Sequence, residues 1–67
     1  MKFTERFNEV LQFGGKKQSE IAEYCKVSRQ VITDYKKGKS FPSLETLFLL
    51  CQYLNVTSDY LLGLSDY

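Results

Sequence analysis

Residues 18–35 read QSEIAEYCKVSRQVITDY, and the rest of the chain is organised around them. Ile21, Ala22 and Cys25 recur at i, i+1 and i+4, an apolar stripe of helical period. Val31, Ile32 and Tyr35 repeat that spacing. The two stripes predict two short amphipathic helices joined by a turn at Lys26 and Val27. Ser28 stands just before the second helix as its N-cap, because a serine hydroxyl accepts an orphan backbone N–H there. Ala22 is small and on the inward face, so the second helix is able to cross close to the first.

Outside its stripe, the second helix carries only polar residues: Ser28, Arg29, Gln30, Thr33 and Asp34. A polar face by itself needs nothing but water. Two helices joined in this way nevertheless form a helix-turn-helix, whose second helix lies in the DNA major groove. Arginine grips guanine O6 and N7 with two hydrogen bonds, and glutamine grips adenine N6 and N7 in the same manner. Charge is distributed accordingly. Residues 16–39 hold Lys16, Lys17, Lys26, Arg29, Lys36, Lys37 and Lys39 against Glu20, Glu23 and Asp34, a net of +4 within a chain whose total is +1. The remainder is net negative, so the positive charge is local, as a phosphate-facing surface requires.

Sixty-seven residues give one small domain with one core. No segment approaches the ~18 apolar residues of a membrane span, and no basic region precedes an apolar run at the N-terminus. The expectation is a cytoplasmic protein with no membrane association. Cys25 and Cys51 are the only cysteines and each lies on an apolar helical stripe, so both are expected as buried, reduced thiols. With no histidine and two isolated cysteines, no metal site and no cofactor are expected. No catalytic cluster is visible, and a small helical domain offers little pocket, so an enzyme is not expected.

On either side of this unit the chain continues in helices. Phe3, Phe7, Val10 and Leu11 fall on one face of a helix over residues 3–13, with Thr4 as its cap and Phe13 folding back over its end. Gly14 and Gly15 stop it, since glycine takes the left-handed conformation without a Cβ penalty. Residues 36–42 form a loop, which Gly38 opens and Pro42 closes. Ser43 caps a helix from Leu44 to Leu54 with an inward stripe of Leu44, Leu47, Phe48, Cys51 and Leu54. Asn55 ends it. Thr57 caps a short fifth helix from Ser58 to about Leu62, stopped by Gly63. No alternation predicts a strand. The fold class is all-α, with five helices.

These elements resemble the phage repressor and Cro type of helix-turn-helix, the xenobiotic-response-element family with its lambda-repressor-like fold. The residues that carry the resemblance are Gln18, Ile21, Ala22, Glu23, Val27, Ser28, Ile32, Tyr35 and Gly38, then Pro42 to Leu47, and Tyr60 to Gly63. It covers about Phe3 to Leu64. The resemblance implies base contacts from Ser28, Arg29 and Gln30, with Thr33 and Asp34 one turn later. It also implies phosphate contacts from Gln18, which opens the second helix, and from Lys37, Gly38, Lys39 and Ser40 in the following loop, whose backbone amides face the phosphates; Lys17 and Lys26 are expected to add to these contacts. Phe41 is expected to wedge against the sugar-phosphate chain. Three departures stand out. Lys26 replaces the usual turn glycine, either as a left-handed lysine or as a lysine turned to DNA. Leu11 and Lys36 replace an arginine and an acidic residue that pair in the family, and Lys36 adds positive charge there. Lys16 replaces an apolar residue, whose place Phe13 is expected to fill.

Two functions fit this reading. One is a sequence-specific transcription regulator, most simply a repressor, bound to double-stranded DNA. The other is a protein-interaction module of the same fold, such as an antitoxin or anti-repressor. No sensor domain is visible, so no small-molecule effector is implied. A single domain reads few base pairs, so a homodimer on a palindrome is expected. The fourth helix has eight apolar residues among eleven, more than one face needs. That surplus points to a dimer surface of Leu49 and Tyr53, extended by Tyr60, Leu64 and Tyr67.

Overall fold

The computed structural model describes residues 1–66, so Tyr67 and its expected place on a dimer surface lie outside the described residues. Five helices follow one another: α1 (Phe3–Gly14), α2 (Gln18–Cys25), α3 (Arg29–Lys37), α4 (Leu44–Leu54) and α5 (Ser58–Leu62). No strand occurs among the described residues.

Local chemistry sets the helix boundaries. Ser28, Ser43 and Thr57 each accept from the backbone N–H three residues on, at 3.2, 3.2 and 3.1 Å. These are the three N-caps expected from the sequence. At the C-termini one closing pattern recurs. Lys26 takes the left-handed conformation at φ 59°, its N–H meets Glu23 O, and Val27 N–H meets Ala22 O at 3.0 Å. Gly38 and Gly63 end α3 and α5 in the same way, which satisfies carbonyls the helix would otherwise leave orphaned. Lys26 is therefore a left-handed lysine in place of glycine, and its side chain is exposed.

All five helices feed one core. α1 contributes Phe3 and Phe7, α2 Ile21, Ala22 and Cys25, α3 Ile32 and Tyr35, α4 Leu47, Leu50 and Leu54, and α5 Leu61. Phe3 and Phe7 stack at 5.3 Å, and both meet the Tyr35 ring edge-on at 6.1 and 6.2 Å. Offset stacking and edge-to-face contact are the arrangements ring quadrupoles favour. α2 packs on α3 and α4, and α1 packs on α3 and α5.

Four expectations are corrected. Thr4 does not cap α1, because the helix begins at Phe3 with Lys2 as N-cap, which leaves Thr4 inside its first turn. Lys2 N–H donates to Leu62 O at 3.2 Å, which anchors the start to the end of α5. Phe13 does not fold back and is 81 % exposed. Lys16 instead extends over the Tyr53 ring, with Nζ 4.9 Å from the centroid, and Tyr53 itself packs on Tyr24 at 4.8 Å. The inward stripe of α4 is Leu47, Leu50 and Leu54, whereas Leu44 is 87 % and Phe48 60 % exposed. Conversely Leu49 and Tyr53, expected on a free surface, are half-buried against the core. The sequence left two apolar faces on α4, and the positions of α2 and α5 select which one is covered.

The two thiols also differ. Cys25 is buried, but Cys51 is only half-buried and borders a shallow groove with Leu44, Phe48 and Val56. Burial pushes both thiols above the ordinary cysteine range. A thiol reagent is expected to label Cys51 first in the native protein. Cys25 should follow only as the domain opens, and its protection should vanish in denaturant. Equal native rates at the two positions would contradict this packing.

Candidate nucleic-acid interface

α3 turns Ile32 and Tyr35 into the core, so the opposite face is fixed as Ser28, Arg29, Gln30, Thr33 and Asp34. The first three are exposed, and Thr33 and Asp34 half-exposed. Arg29, at the first position of the helix, is exposed and pairs with no acidic side chain among the described residues. Gln30 Nε2 donates to Asp34 Oδ1 at 3.0 Å, and Thr33 Oγ1 donates to Arg29 O at 3.2 Å.

The first residue of α2 is tied to this face. Gln18 Nε2 donates to Thr33 Oγ1 at 3.2 Å, and Gln18 Oε1 accepts from Lys36 Nζ at 3.1 Å. The carboxamide thus spans two successive turns of α3 and sets how α3 lies on α2. The Lys36 charge is directed onto Gln18 of α2, whereas the partner that the resemblance implies for this position stands at Leu11, on α1. Asn8 supplies a further tie that the sequence did not single out. Its Nδ2 donates to Thr4 O at 2.8 Å and to Lys36 O at 2.9 Å, so α1 holds the C-terminal end of α3. A lone asparagine on a helix carries no pattern by which it could have been recognised.

Basic side chains surround the face. Lys17 precedes α2, with its backbone N–H on Glu20 Oε1 at 3.4 Å, and Lys26 occupies the turn at the other end of that helix. Lys37 and Lys39 are exposed after α3. Two of the loop amides are engaged within the chain. Gly38 N–H is bonded to Tyr35 O at 3.3 Å, and Lys39 N–H to Asp34 O at 2.9 Å, so both are spent in closing α3. The loop is left with its lysine side chains and Ser40. Gly38 has φ 74°, and a Cβ there would stand 3.3 Å from Thr4 Oγ1, so α1 approaches this turn closely. Phe41 is 52 % exposed, but its ring also meets Phe3 edge-on at 6.1 Å.

The remaining residues of the expected dimer surface lie apart from α3. Tyr60 is half-buried, with the Arg6 guanidinium 4.4 Å from its ring centroid. Arg6 also donates to Tyr60 O at 2.8 Å and Ser65 O at 2.5 Å, and so holds the chain after α5 against α1. Leu64 is exposed and borders a shallow groove with Met1 and Leu62.

Five helices with α3 crossing α2 and a polar outer face on α3 define a helix-turn-helix domain. A helix-turn-helix family model of the Cro/C1 type matches residues 14–61, and the chain belongs to that family. Among similar proteins is the transcriptional activator BcrR of Enterococcus faecalis, 32 % identical over 63 residues that are 94 % of this chain and 31 % of BcrR. The transcriptional regulator ImmR of Bacillus subtilis is 33 % identical over 63 residues, 94 % of this chain and 50 % of ImmR. The prophage-derived regulator YonR of the same species is 35 % identical over 60 residues, 90 % of this chain and 56 % of YonR. The chain therefore spans between about a third and a little over half of these relatives. No helix among the described residues is long and apolar enough to cross a membrane.

Proposed function

We propose that this chain is a sequence-specific DNA-binding unit of a transcriptional regulator. On this reading α3 enters the major groove, where Arg29 and Gln30 read base edges and Ser28 and Thr33 support them. Lys17, Lys26, Lys37 and Lys39, with Ser40, hold the phosphates on either side. The observation that carries it is the α3 face: exposed Arg29 and Gln30, braced from α2 by Gln18 and flanked by the lysine loop. Two copies pair on a palindrome, and the apolar face of α4 that bears Leu44 and Phe48 is the surface available for pairing. Its simplest action is repression in the cytoplasm, by occupying DNA that polymerase needs.

Selection from a random duplex pool tests the proposal. The wild-type chain should enrich one motif. Arg29→Ala and Gln30→Ala should each cost about 1–3 kcal/mol on that motif and little on random DNA. The Lys37→Ala, Lys39→Ala pair should weaken binding to every sequence alike and reduce the salt slope by about two. If no motif is enriched, the fold serves instead as a protein-interaction module.

A further inference from the structure

The residues at Gln30 and Asp34 are one turn apart on the outer face of α3, the spacing at which helical side chains meet. Gln30 Nε2 donates to Asp34 Oδ1 at 3.0 Å. An ionised carboxylate only accepts hydrogen bonds, so it can hold a carboxamide by its nitrogen and not by its oxygen. Turning the Gln30 amide over would place Oε1 against the Asp34 charge. A charged acceptor makes the stronger kind of hydrogen bond, and this one selects a single amide orientation. Asp34 is a firm anchor for the purpose. It is only half-exposed, and its carbonyl is fixed by Lys39 N–H at 2.9 Å, where the loop closes on the helix.

We propose that Asp34 is a positioning residue for base recognition, orienting the Gln30 amide so that it selects adenine. An amide nitrogen carries two hydrogens, and Asp34 takes one. Oε1 and the second N–H remain, an acceptor and a donor side by side. Adenine offers the complementary pair, N6–H and N7, whereas guanine offers two acceptors at O6 and N7. An amide free to turn over loses this discrimination. Asp34 then does not need to touch a base itself, and its negative charge near the phosphates has a reason. This inference rests on α3 reading DNA.

The test compares base-preference profiles selected from a random duplex pool by the wild-type chain, Gln30→Ala, Asp34→Ala and Asp34→Asn, with helical content checked by circular dichroism. Gln30→Ala should flatten an adenine preference at one base pair by about fivefold or more. Asp34→Ala should flatten the same base pair, while its affinity for random DNA rises because a negative charge is gone. Asp34→Asn keeps the size of the side chain but also donates, so it should lose orientation and resemble Asp34→Ala. Full adenine preference in Asp34→Asn would show that shape and not charge holds the amide, and would overturn the proposal. So would an Asp34→Ala profile altered at a different base pair, or one not altered at all. If the wild-type chain enriches no motif, DNA reading by α3 falls, and the positioning role falls with it. A motif enriched without an adenine preference at the Gln30-sensitive pair overturns the positioning role alone.

Discussion

Replacing Phe7 by alanine is expected to leave the domain largely unfolded at 37 °C. Phe7 is fully buried, stacked on Phe3 at 5.3 Å and edge-on to Tyr35 at 6.2 Å. Truncating a buried phenylalanine costs about 3–5 kcal/mol, the transfer of the ring plus the cavity it leaves. A core of this size supplies only about 3–5 kcal/mol of net stability, so the loss is of the same order as the whole. Each kcal/mol moves the thermal midpoint of a domain this small by about 4–8 °C. The midpoint should therefore fall by at least about 12 °C in a melt followed at 222 nm. Phe13→Ala is the matched control. It removes the same ring from the same helix, but Phe13 is 81 % exposed, so the change should stay within about 0.5 kcal/mol. If the control proved the more destabilising of the two, the packing of α1 would be wrong.

Phe7 and Phe13 also show what the sequence disclosed and what it withheld. Helix positions were legible because the signals are local. Ser28, Ser43 and Thr57 cap where they stand before their helices, and Lys26, Gly38, Asn55 and Gly63 close them. The burial of Phe3, Phe7, Ile21, Ile32 and Tyr35 followed from helical spacing. Helix α4 was not legible in this way. When eight of eleven residues are apolar, periodicity identifies a helix without saying which side is inside. Only the seating of α2 and α5 on α4 covers Leu50 and exposes Leu44 and Phe48. The polar face of α3 was likewise visible as a list of residues. Its internal bonds were not, since Gln18 meets Thr33 and Lys36 only after α3 has crossed α2. The use of the Gly38 and Lys39 amides in helix closure was hidden too, because the left-handed turn that provides the loop also engages two of its donors.

The exposed face of α4 leads to the second large effect. Leu44 and Phe48 stand one turn apart and largely in solvent, at the edge of a groove that Cys51 and Val56 share. α4 has one charged residue, Glu45, so two copies could approach along it with little repulsion. In a two-fold interface each change is met by its own copy. Leu44→Glu with Phe48→Glu therefore introduces four negative charges across the proposed contact. Neither residue belongs to the core, so the helical signal should be kept and the thermal midpoint should stay within a few degrees of wild type. Binding to a single selected half-site should also be kept. Binding to two half-sites about 34 Å apart should lose its coupling, by about 100-fold or ~3 kcal/mol. Leu49→Glu with Tyr53→Glu is the counterpart on the half-buried side of α4, and it should unfold the domain instead. Coupled binding of the Leu44, Phe48 double mutant to the palindrome would exclude this face. The pairing surface would then be sought at Leu64 and the groove beside Met1, another exposed apolar surface.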